Sequence, residues 1–208
     1  VGGKTGLNST FGKNLVGSFY QPSLVLADTG TLSTLPKREL MAGYAEMLKY
    51  GLINDPEFFA WLEKNGSRLL ETKPEPLTEA IIRSCKAKAA IVEQDEKEAG
   101  IRALLNFGHT FAHALEAETG YSHELLHGEA VAIGMILAFR LSVKMKLCPQ
   151  KELDRVTAHY QAAGLPLSPR YVQPYWDVEK LLGHMAHDKK AKGGALTFVL
   201  TRGIGQAF

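Results

Sequence analysis

The sequence predicts a mainly α-helical protein, a multi-helix domain with two or more short strands at its margins. Three observations support this fold class. Apolar residues recur at helical spacing in most segments between residues 36 and 187. Capping residues, prolines and glycines bound those segments. No strand–helix–strand alternation and no internal repeat is found in the 208 residues, of which 45% are hydrophobic, enough for a buried core.

The N-terminal part is predicted to contain loop and one strand before the first helix. Residues 1–22 are rich in Gly, Asn, Ser and Lys, a composition typical of loop. The apolar run Ser23–Asp28 is short and ends at an aspartate, which predicts one buried strand. Thr34 is placed to cap a helix that begins at Pro36.

Six further helices follow from apolar periodicity and from residues that begin or end helices. Lys73–Pro76 is predicted to interrupt the chain between two of them, and Gly120 to end another. The segment 127–146 is apolar on nearly all sides in its middle, which predicts a central, buried helix. A second strand is predicted at Leu196–Leu200, between two glycines. The six helices are expected over residues 54–69, 77–98, 108–118, 127–146, 151–163 and 178–187.

Composition excludes several classes of protein. The 24 Lys and Arg residues nearly balance the 22 Asp and Glu residues, so the net charge of +2 indicates no nucleic-acid or membrane footprint. The longest apolar run, Ala130–Phe139, is about half of the ~20 residues that a membrane-spanning helix needs. Cys85 and Cys148 cannot form a disulfide framework or a thiolate zinc site, so a cytoplasmic location is expected. The chain begins at Val1 inside a glycine-rich segment, without methionine, which suggests a cut end.

Two glycine-rich stretches near the N-terminus carry lysines. Gly2-Gly3-Lys4-Thr5 is similar to the end of a phosphate-binding G-x-x-x-x-G-K-[ST] loop, but the residues that follow form helices poorly, which disfavours a nucleoside-triphosphate site. Backbone N–H groups converge in such loops, so Lys4 and the similar Lys13-Asn14 are placed to meet an anion. The alternative is that these side chains are solvated loop residues.

Three residues from distant segments suggest a catalytic metal site. His109 and His113 lie one helical turn apart, but Thr110 stands where a zinc peptidase has glutamate, so a peptidase is disfavoured. Glu46 lies on a strongly apolar helix, where an unpaired carboxylate would be costly. A metal would remove that cost, and Glu46, His109 and His127 make the three-ligand set with an open position that catalytic zinc uses. The alternative is that the histidines are surface or capping residues.

A second set of polar residues surrounds these ligands in the sequence. Arg102 and Asn106 precede His109 by seven and three positions, so the three share a face if the helix begins early. Several cations around one metal indicate a small polyanionic substrate with carboxylate or phosphate groups. The alternative is that each lysine lies on a solvated helix face, which we favour for Lys86. The set comprises Lys49, Lys88, Glu98, Arg102, Asn106 and His113.

These segments together resemble the 3-dehydroquinate synthase family, in order and over essentially the whole chain. Three of the segments are Ala45-Glu-Met-Leu-Lys-Tyr-Gly51, Arg102-Ala-Leu-Leu-Asn-Phe-Gly-His-Thr110 and His127-Gly-Glu-Ala-Val-Ala-Ile-Gly134. The others are Val1–Asn8, Gly12–Gly17, Phe19–Pro22, Leu35–Glu39, Asp95–Glu98, Asp188–Lys190 and Arg202–Gly205.

The resemblance implies a carbon–oxygen lyase of the shikimate route to chorismate and the aromatic amino acids. Such an enzyme converts 3-deoxy-arabino-heptulosonate 7-phosphate to 3-dehydroquinate. Its tightly held NAD oxidises one alcohol transiently, phosphate is eliminated, the ketone is reduced back, and an intramolecular aldol step closes the ring. Zinc or cobalt polarises the alcohol and carbonyl oxygens.

The resemblance also implies roles for individual residues. Glu46, His109 and His127 resemble the metal ligands. The positions that resemble NAD-contacting residues are Lys4, Lys13, Thr31, Leu32, Ser33 and Thr34. Those that resemble the substrate site are Lys4, Asn14, Lys49, Lys88, Glu98, Arg102, Asn106, His113 and one of Lys189 and Lys190. Lys4 is in both sets, and its role stays open.

The family resemblance predicts that this chain is the C-terminal half of a two-domain α/β plus α enzyme, without the N-terminal NAD-binding domain. Residues 1–22 would be a glycine-rich inter-domain and active-site segment, and residues 23–208 the helical metal- and substrate-binding domain. We expect a homodimer, and incomplete turnover without the missing domain. The alternatives are a related sugar-phosphate cyclase, a non-catalytic truncated domain and, last, a polyol dehydrogenase. Arg102 and Lys88 favour a substrate that carries a carboxylate over a simple sugar phosphate.

Overall fold

A computed structural model of the chain describes residues 2–9, 12–187 and 196–208, and this part is mainly helical. One antiparallel hairpin precedes the helices, and short 3-10 helices connect some of them. The strands are β1 (Lys4–Ser9) and β2 (Gly12–Phe19). The α-helices are α1 (Lys37–Ile53), α2 (Pro56–Leu70), α3 (Pro74–Gln94), α4 (His109–Glu118), α5 (His127–Lys144), α6 (Gln150–Ala163) and α7 (Val178–His187).

Helix α5 is the centre of the core, as its apolar sequence predicts. Its residues from Ala130 to Ile136 are all buried, and it packs against α1, α4 and α6. Burial of so many apolar side chains on one helix is the main contribution to the stability of this bundle. None of the helices in the described part of the chain is long and apolar enough to cross a membrane.

Two glycines of α5 allow neighbouring backbones to approach closely. A Cβ at Gly128 would lie 2.1 Å from the carbonyl oxygen of Ala42 in α1. A Cβ at Gly134 would lie 2.1 Å from the carbonyl oxygen of Gly108, immediately before α4. At these two points α5 therefore packs against α1 and against the start of α4 at distances that only glycine permits.

The prediction of loop for residues 1–22 was wrong over most of that segment. Leu7 pairs with Val16 and Lys4 with Phe19 in the β1–β2 hairpin. Glycines hid the strand pattern, because they lower strand propensity in any sequence-based assignment. Here glycine is required, since a Cβ at Gly17 would lie 1.8 Å from the carbonyl oxygen of Thr5.

Neither of the two predicted strands is a strand in the structure. Ser23–Asp28 has no regular secondary structure and is exposed, with Leu24 79% and Leu26 88% exposed, and it pairs as a strand with no other described segment. Leu196–Leu200 forms no strand either: only Leu200 exchanges backbone hydrogen bonds with Phe208, beside an isolated bridge between Thr201 and Ala207. An apolar run alone does not make a strand, because the backbone also needs a partner for its hydrogen bonds.

Most predicted helices are confirmed, with shifted ends. Helix α3 begins at Pro74 rather than Leu77, because prolines are tolerated in a first turn that has no backbone hydrogen bonds to lose. It ends at Gln94 rather than near Glu98. Thr34 does not cap α1: it ends a 3-10 helix, and α1 begins at Lys37.

Candidate metal centre and cation-lined cavity

The three predicted metal ligands converge in the structure. Each offers one ligand atom, and these atoms all lie within 4.8 Å of one another. Glu46 Oε1 is 3.7 Å from His109 Nε2 and 3.5 Å from His127 Nε2. Ligand atoms around a tetrahedral zinc are about 3.3 Å apart when the bonds are about 2.0–2.1 Å. The spacing is therefore close to that of a zinc coordination shell.

The oxygen of Glu46 that faces the two imidazoles supports a cation at this point. Glu46 Oε1 is buried and has no hydrogen-bond partner among the described residues. An unpaired buried carboxylate oxygen is costly, and a metal ion would satisfy it. The other oxygen, Oε2, accepts a hydrogen bond of 2.6 Å from Lys49 Nζ. The residues present thus fit a divalent metal with one carboxylate and two imidazole ligands.

The electrostatics leave His109 and Glu46 in the forms that bind metal. Burial and the nearby Lys49 ammonium together lower the pKa of His109 to about 3, so the ring is neutral near pH 7. His109 Nδ1 is 3.1 Å from the Phe107 carbonyl oxygen, which leaves Nε2 as the free lone pair. Burial raises the pKa of Glu46, but Lys49 and the two imidazoles outweigh it, so the net pKa is below its ordinary value.

Hydrogen bonds around Arg38 hold the start of α5, where His127 lies. Arg38 donates from Nε and from a terminal nitrogen to the two carboxylate oxygens of Glu129, both at 2.7 Å. It also donates to the carbonyl oxygens of His123 and Glu124, at 2.9 and 2.8 Å. Glu129 in turn accepts from the Leu126 N–H at 2.9 Å, so the loop before α5 and its first turn form one connected unit.

A cavity of about 160 Å³ adjoins the metal ligands and gathers most of the predicted substrate residues. Four cations and two carboxylates line it, which suits a substrate with more than one negative group. Burial lowers the pKa of Lys88, and the nearby Lys49 and Arg102 lower it further. The lining residues are Lys4, Glu46, Lys49, Tyr50, Lys88, Glu98, Arg102, Leu105, Asn106 and His109.

Glu98 is the second carboxylate of the cavity, and it links the hairpin to the helical part. It forms an ion pair with Lys4 and accepts a 2.6 Å hydrogen bond from Asn106 Nδ2. Its backbone has a φ of +61°, uncommon for a non-glycine residue. Arg102 is 2% exposed and donates to the Gly2 carbonyl oxygen at 2.7 Å, a second link from the hairpin to this loop.

The expected shared helical face of Arg102, Asn106 and His109 is not observed. Arg102 and Asn106 lie in a 3-10 helix, Ile101–Asn106, and His109 begins α4. Between them, Gly108 adopts a φ of +79°, which redirects the chain. The three residues still line one cavity, through this turn rather than through a continuous helix.

The remaining predicted residues lie outside this cavity lining. The ring centroid of His113 is 5.5 Å from that of His109 and 6.4 Å from that of His127, beside the metal ligands. Thr31 donates from its hydroxyl to the carbonyl of Asp28, the cap of the 3-10 helix Thr29–Thr34, and Ser33 and Thr34 donate to carbonyls within that helix, which also contains Leu32. The backbone of Lys13 and Asn14 is in β2, and their side chains are outside the described part of the structure, as are Lys189 and Lys190.

Sequence reasoning missed two carboxylates that support the site. Glu116 Oε1 lies 3.2 Å from His127 Nδ1. Its position seven residues after His109, on the same face of α4, could have revealed it. Asp95 accepts backbone N–H groups of Ala99, Gly100 and Arg102 and so shapes the loop that carries Glu98 and Arg102. No sequence periodicity signals a contact of that kind.

Known proteins similar to this chain agree with the family resemblance. Residues 43–191 match the family described as 3-dehydroquinate synthase C-terminal, and residues 1–42 match the one described as 3-dehydroquinate synthase N-terminal. The 3-dehydroquinate synthases of Rhodospirillum rubrum and Caulobacter vibrioides are 56% and 54% identical to it, over 100% of this chain and 54% and 56% of theirs. The chain thus spans about half the length of the curated relatives it matches.

Solved structures of related cyclases share the fold. ValA, the 2-epi-5-epi-valiolone synthase of Streptomyces hygroscopicus solved with NAD+ and Zn2+, has a TM-score of 0.88 and 34% identity over 100% of this chain and 57% of its own. A 2-deoxy-scyllo-inosose synthase solved with carbaglucose-6-phosphate, NAD+ and Co2+ has a TM-score of 0.79 and 28% identity over 99% of this chain and 56% of its own. With the family match over residues 43–191, these comparisons show that the chain belongs to the 3-dehydroquinate synthase family.

Proposed function

We propose that this chain supplies the metal- and substrate-binding part of an enzyme that converts 3-deoxy-arabino-heptulosonate 7-phosphate to 3-dehydroquinate and phosphate. The observation that carries the proposal is the buried, unpaired oxygen of Glu46, which faces two imidazole rings at the edge of a cation-lined cavity. In this proposal Glu46, His109 and His127 hold Zn2+ or Co2+. The metal supplies polarisation of substrate oxygens, and NAD supplies a reversible hydride acceptor.

The cations of the cavity bind and orient the substrate. Arg102, which is buried, and Lys88, which is partly buried, are the pair best suited to a carboxylate, since solvent screens such charges little and Arg102 lies close enough to lower the pKa of Lys88. Lys4 and Lys49 already neutralise Glu98 and Glu46, and each can turn to a phosphate oxygen when the substrate enters.

Two residues are placed to handle protons and hydroxyl groups. Glu98 is held by Lys4 and Asn106, so its carboxylate is an acceptor for a substrate hydroxyl. His113 lies beside both imidazole ligands, where a ring nitrogen can take or return a proton. Asn14 and one of Lys189 and Lys190 complete the substrate set in this proposal.

The NAD contribution of this chain is the hairpin and the 3-10 helix that follows it. We assign Lys4 and Lys13, with Thr31, Leu32, Ser33 and Thr34, to contacts with the cofactor, and the rest of the NAD site to an N-terminal domain. The hydroxyls of Thr31 and Ser33 donate to carbonyls of their own turn, so their oxygen lone pairs remain to accept hydrogen bonds. A homodimeric, cytoplasmic enzyme is part of the proposal, and sedimentation of the joined protein tests the dimer.

The test joins this chain to the N-terminal part of the Rhodospirillum rubrum relative and measures phosphate release with NAD and Zn2+ or Co2+. Lys88→Met is expected to lower kcat/KM at least about tenfold, because it removes a cation that contacts the substrate. Lys86→Met is the matched control, since Lys86 is exposed two residues away and should leave the rate unchanged. Absence of phosphate release from a folded, metal-loaded protein would refute the proposal.

A related sugar-phosphate cyclase is the second candidate, and the similarity to ValA favours it. The two candidates differ in whether the substrate carries a carboxylate. If the joined protein uses a seven-carbon sugar phosphate without the carboxylate as well as the carboxylated substrate, and Arg102→Gln affects both equally, the second candidate is correct.

A further inference from the structure

Helix α4 carries a buried carboxylate that contacts a proposed metal ligand from behind. Glu116 is 2% exposed, and its Oε1 is 3.2 Å from His127 Nδ1. The other ring nitrogen of His127, Nε2, faces Glu46 Oε1 at 3.5 Å. The imidazole therefore lies between two carboxylates, one on each side, although only Glu46 belongs to the ligand set.

The chemistry of the two nitrogens follows from this arrangement. A neutral imidazole has one N–H and one lone pair, and an ionised carboxylate can only accept a hydrogen bond. An ionised Glu116 would require the proton on Nδ1, and the Nε2 lone pair would then face Glu46 Oε1. His109 is held in the same tautomer by a neutral group, the Phe107 carbonyl oxygen at 3.1 Å from its Nδ1.

The fold keeps Glu116 at this distance. His109 and Glu116 are seven residues apart on α4, two turns along one face, so one rigid helix carries a ligand and the acceptor for the other ligand. Helix α5, which begins with His127, is held against α4 by the close approach at Gly134. The His127 side chain is 48% exposed, so few other contacts restrain the ring.

We infer that Glu116 is a positioning residue for the metal site: it fixes the tautomer and orientation of His127 and strengthens the binding of the metal by that ring. The inference rests on the proposed metal site. A carboxylate that accepts from the far nitrogen of a ligating histidine makes the ring a better donor, and loss of such a partner typically costs about 10–100-fold in metal affinity.

The chain offers a matched control on the same helix. Glu118 lies two residues further along α4, and its carboxylate contacts His184 at 3.0 Å and Lys180 at 3.6 Å, both on α7. Glu118→Gln removes the same charge from the same helix without touching a proposed ligand. An effect of Glu116 that came from helix charge alone would be reproduced at Glu118.

The test measures Zn2+ and Co2+ dissociation constants of the metal-free 208-residue chain by competition with a chromophoric chelator. Glu116→Ala is expected to weaken both by about 10–100-fold. Glu116→Gln keeps an acceptor but loses the charge, and a loss of at least about fivefold is expected. Glu118→Gln should match the parent. Melting of the metal-free proteins shows whether any variant has lost its fold.

A double-mutant cycle with His127→Ala separates positioning from a general effect. In the His127→Ala background, Glu116→Ala should change metal affinity less than twofold, since the ring that Glu116 holds is gone. An equal loss in both backgrounds would overturn the inference. If Glu116→Ala does not fold, the metal affinity of Glu116→Gln tests the inference instead. An affinity of Glu116→Gln equal to that of the parent also overturns the inference. A parent chain that binds neither metal refutes the metal site itself, and the inference with it.

Discussion

Replacement of Gly128 by alanine is the most direct test of how the fold brings the metal ligands together. Gly128 follows His127 in the first turn of α5, at the crossing with α1. A Cβ there would lie 2.1 Å from the Ala42 carbonyl oxygen and 2.5 Å from Ala42 Cα. These are backbone atoms that cannot rotate away, so the two helices must separate by about 0.9 Å to reach a 3.0 Å contact.

The expected cost follows from that displacement. Overpacking of this kind costs about 3 kcal/mol, and the better helix propensity of alanine returns at most about 1 kcal/mol, which leaves a loss of about 2 kcal/mol. For a chain of this size the melting temperature should fall by about 4–8 °C. Glu46 lies one turn after Ala42, so its distance to His127 also increases. Metal sites tolerate about 0.2 Å, and affinity should fall at least about tenfold.

Gly43→Ala is the matched control, because a Cβ at Gly43 meets nothing within 4 Å. This variant adds the same methyl group to α1, at the residue that follows Ala42, and should raise the free energy of unfolding by about 0.5–1 kcal/mol. Thermal melting of the metal-free chain and Co2+ titration compare the two variants. If Gly128→Ala melts and binds Co2+ as Gly43→Ala does, the close helix crossing does not position the ligands.

Three other variants test single contacts around the site. Arg38→Met leaves the buried Glu129 carboxylate without its bidentate partner and should cost about 2 kcal/mol in urea unfolding, whereas a double variant with Glu129→Met should recover part of that loss. Asp95→Ala removes the acceptor of three backbone N–H groups, so hydrogen exchange of the amides of residues 99–102 should accelerate while the helices stay protected. Unchanged exchange would contradict the role of Asp95 in shaping this loop. Burial lowers the pKa of His159 below the ordinary value near 6.5, so the unfolded chain binds a proton there that the folded chain does not. The free energy of unfolding should therefore fall as the pH drops below about 6.5. His159→Gln should show a shallower loss of stability between pH 7.5 and 5.5, and a slope equal to that of the parent would refute the assignment.

The helices could be predicted from the sequence because their signals are local. Asp55 accepts a hydrogen bond from the Phe58 N–H and Pro56 occupies the first turn, which is why α2 begins where the sequence indicates. The helical period of apolar residues marks the buried faces in the same way. The hairpin was missed because Gly17 is required by the opposite strand, at Thr5, and not by its own sequence neighbours.

The residue types of the candidate metal site could also be predicted from the sequence, because a carboxylate on an apolar helix and paired histidines are unusual wherever they occur. The distances between these side chains could not be predicted from the sequence. The separations of 3.5 and 3.7 Å between Glu46 and the two imidazoles arise where α1, α4 and α5 meet. Those separations depend on the close packing at Gly128 and Gly134, which involves atoms far apart in the chain.

The sequence by itself determined the helical fold class, the three candidate ligands and the cations of the cavity, because residue type and local periodicity carry that information. Only the tertiary structure decided that a turn at Gly108 brings Arg102 and His109 to one cavity, and that Glu116 contacts His127. The physical reason is that side-chain chemistry belongs to single residues, whereas distances between distant residues are set by how closely the helix backbones can pack.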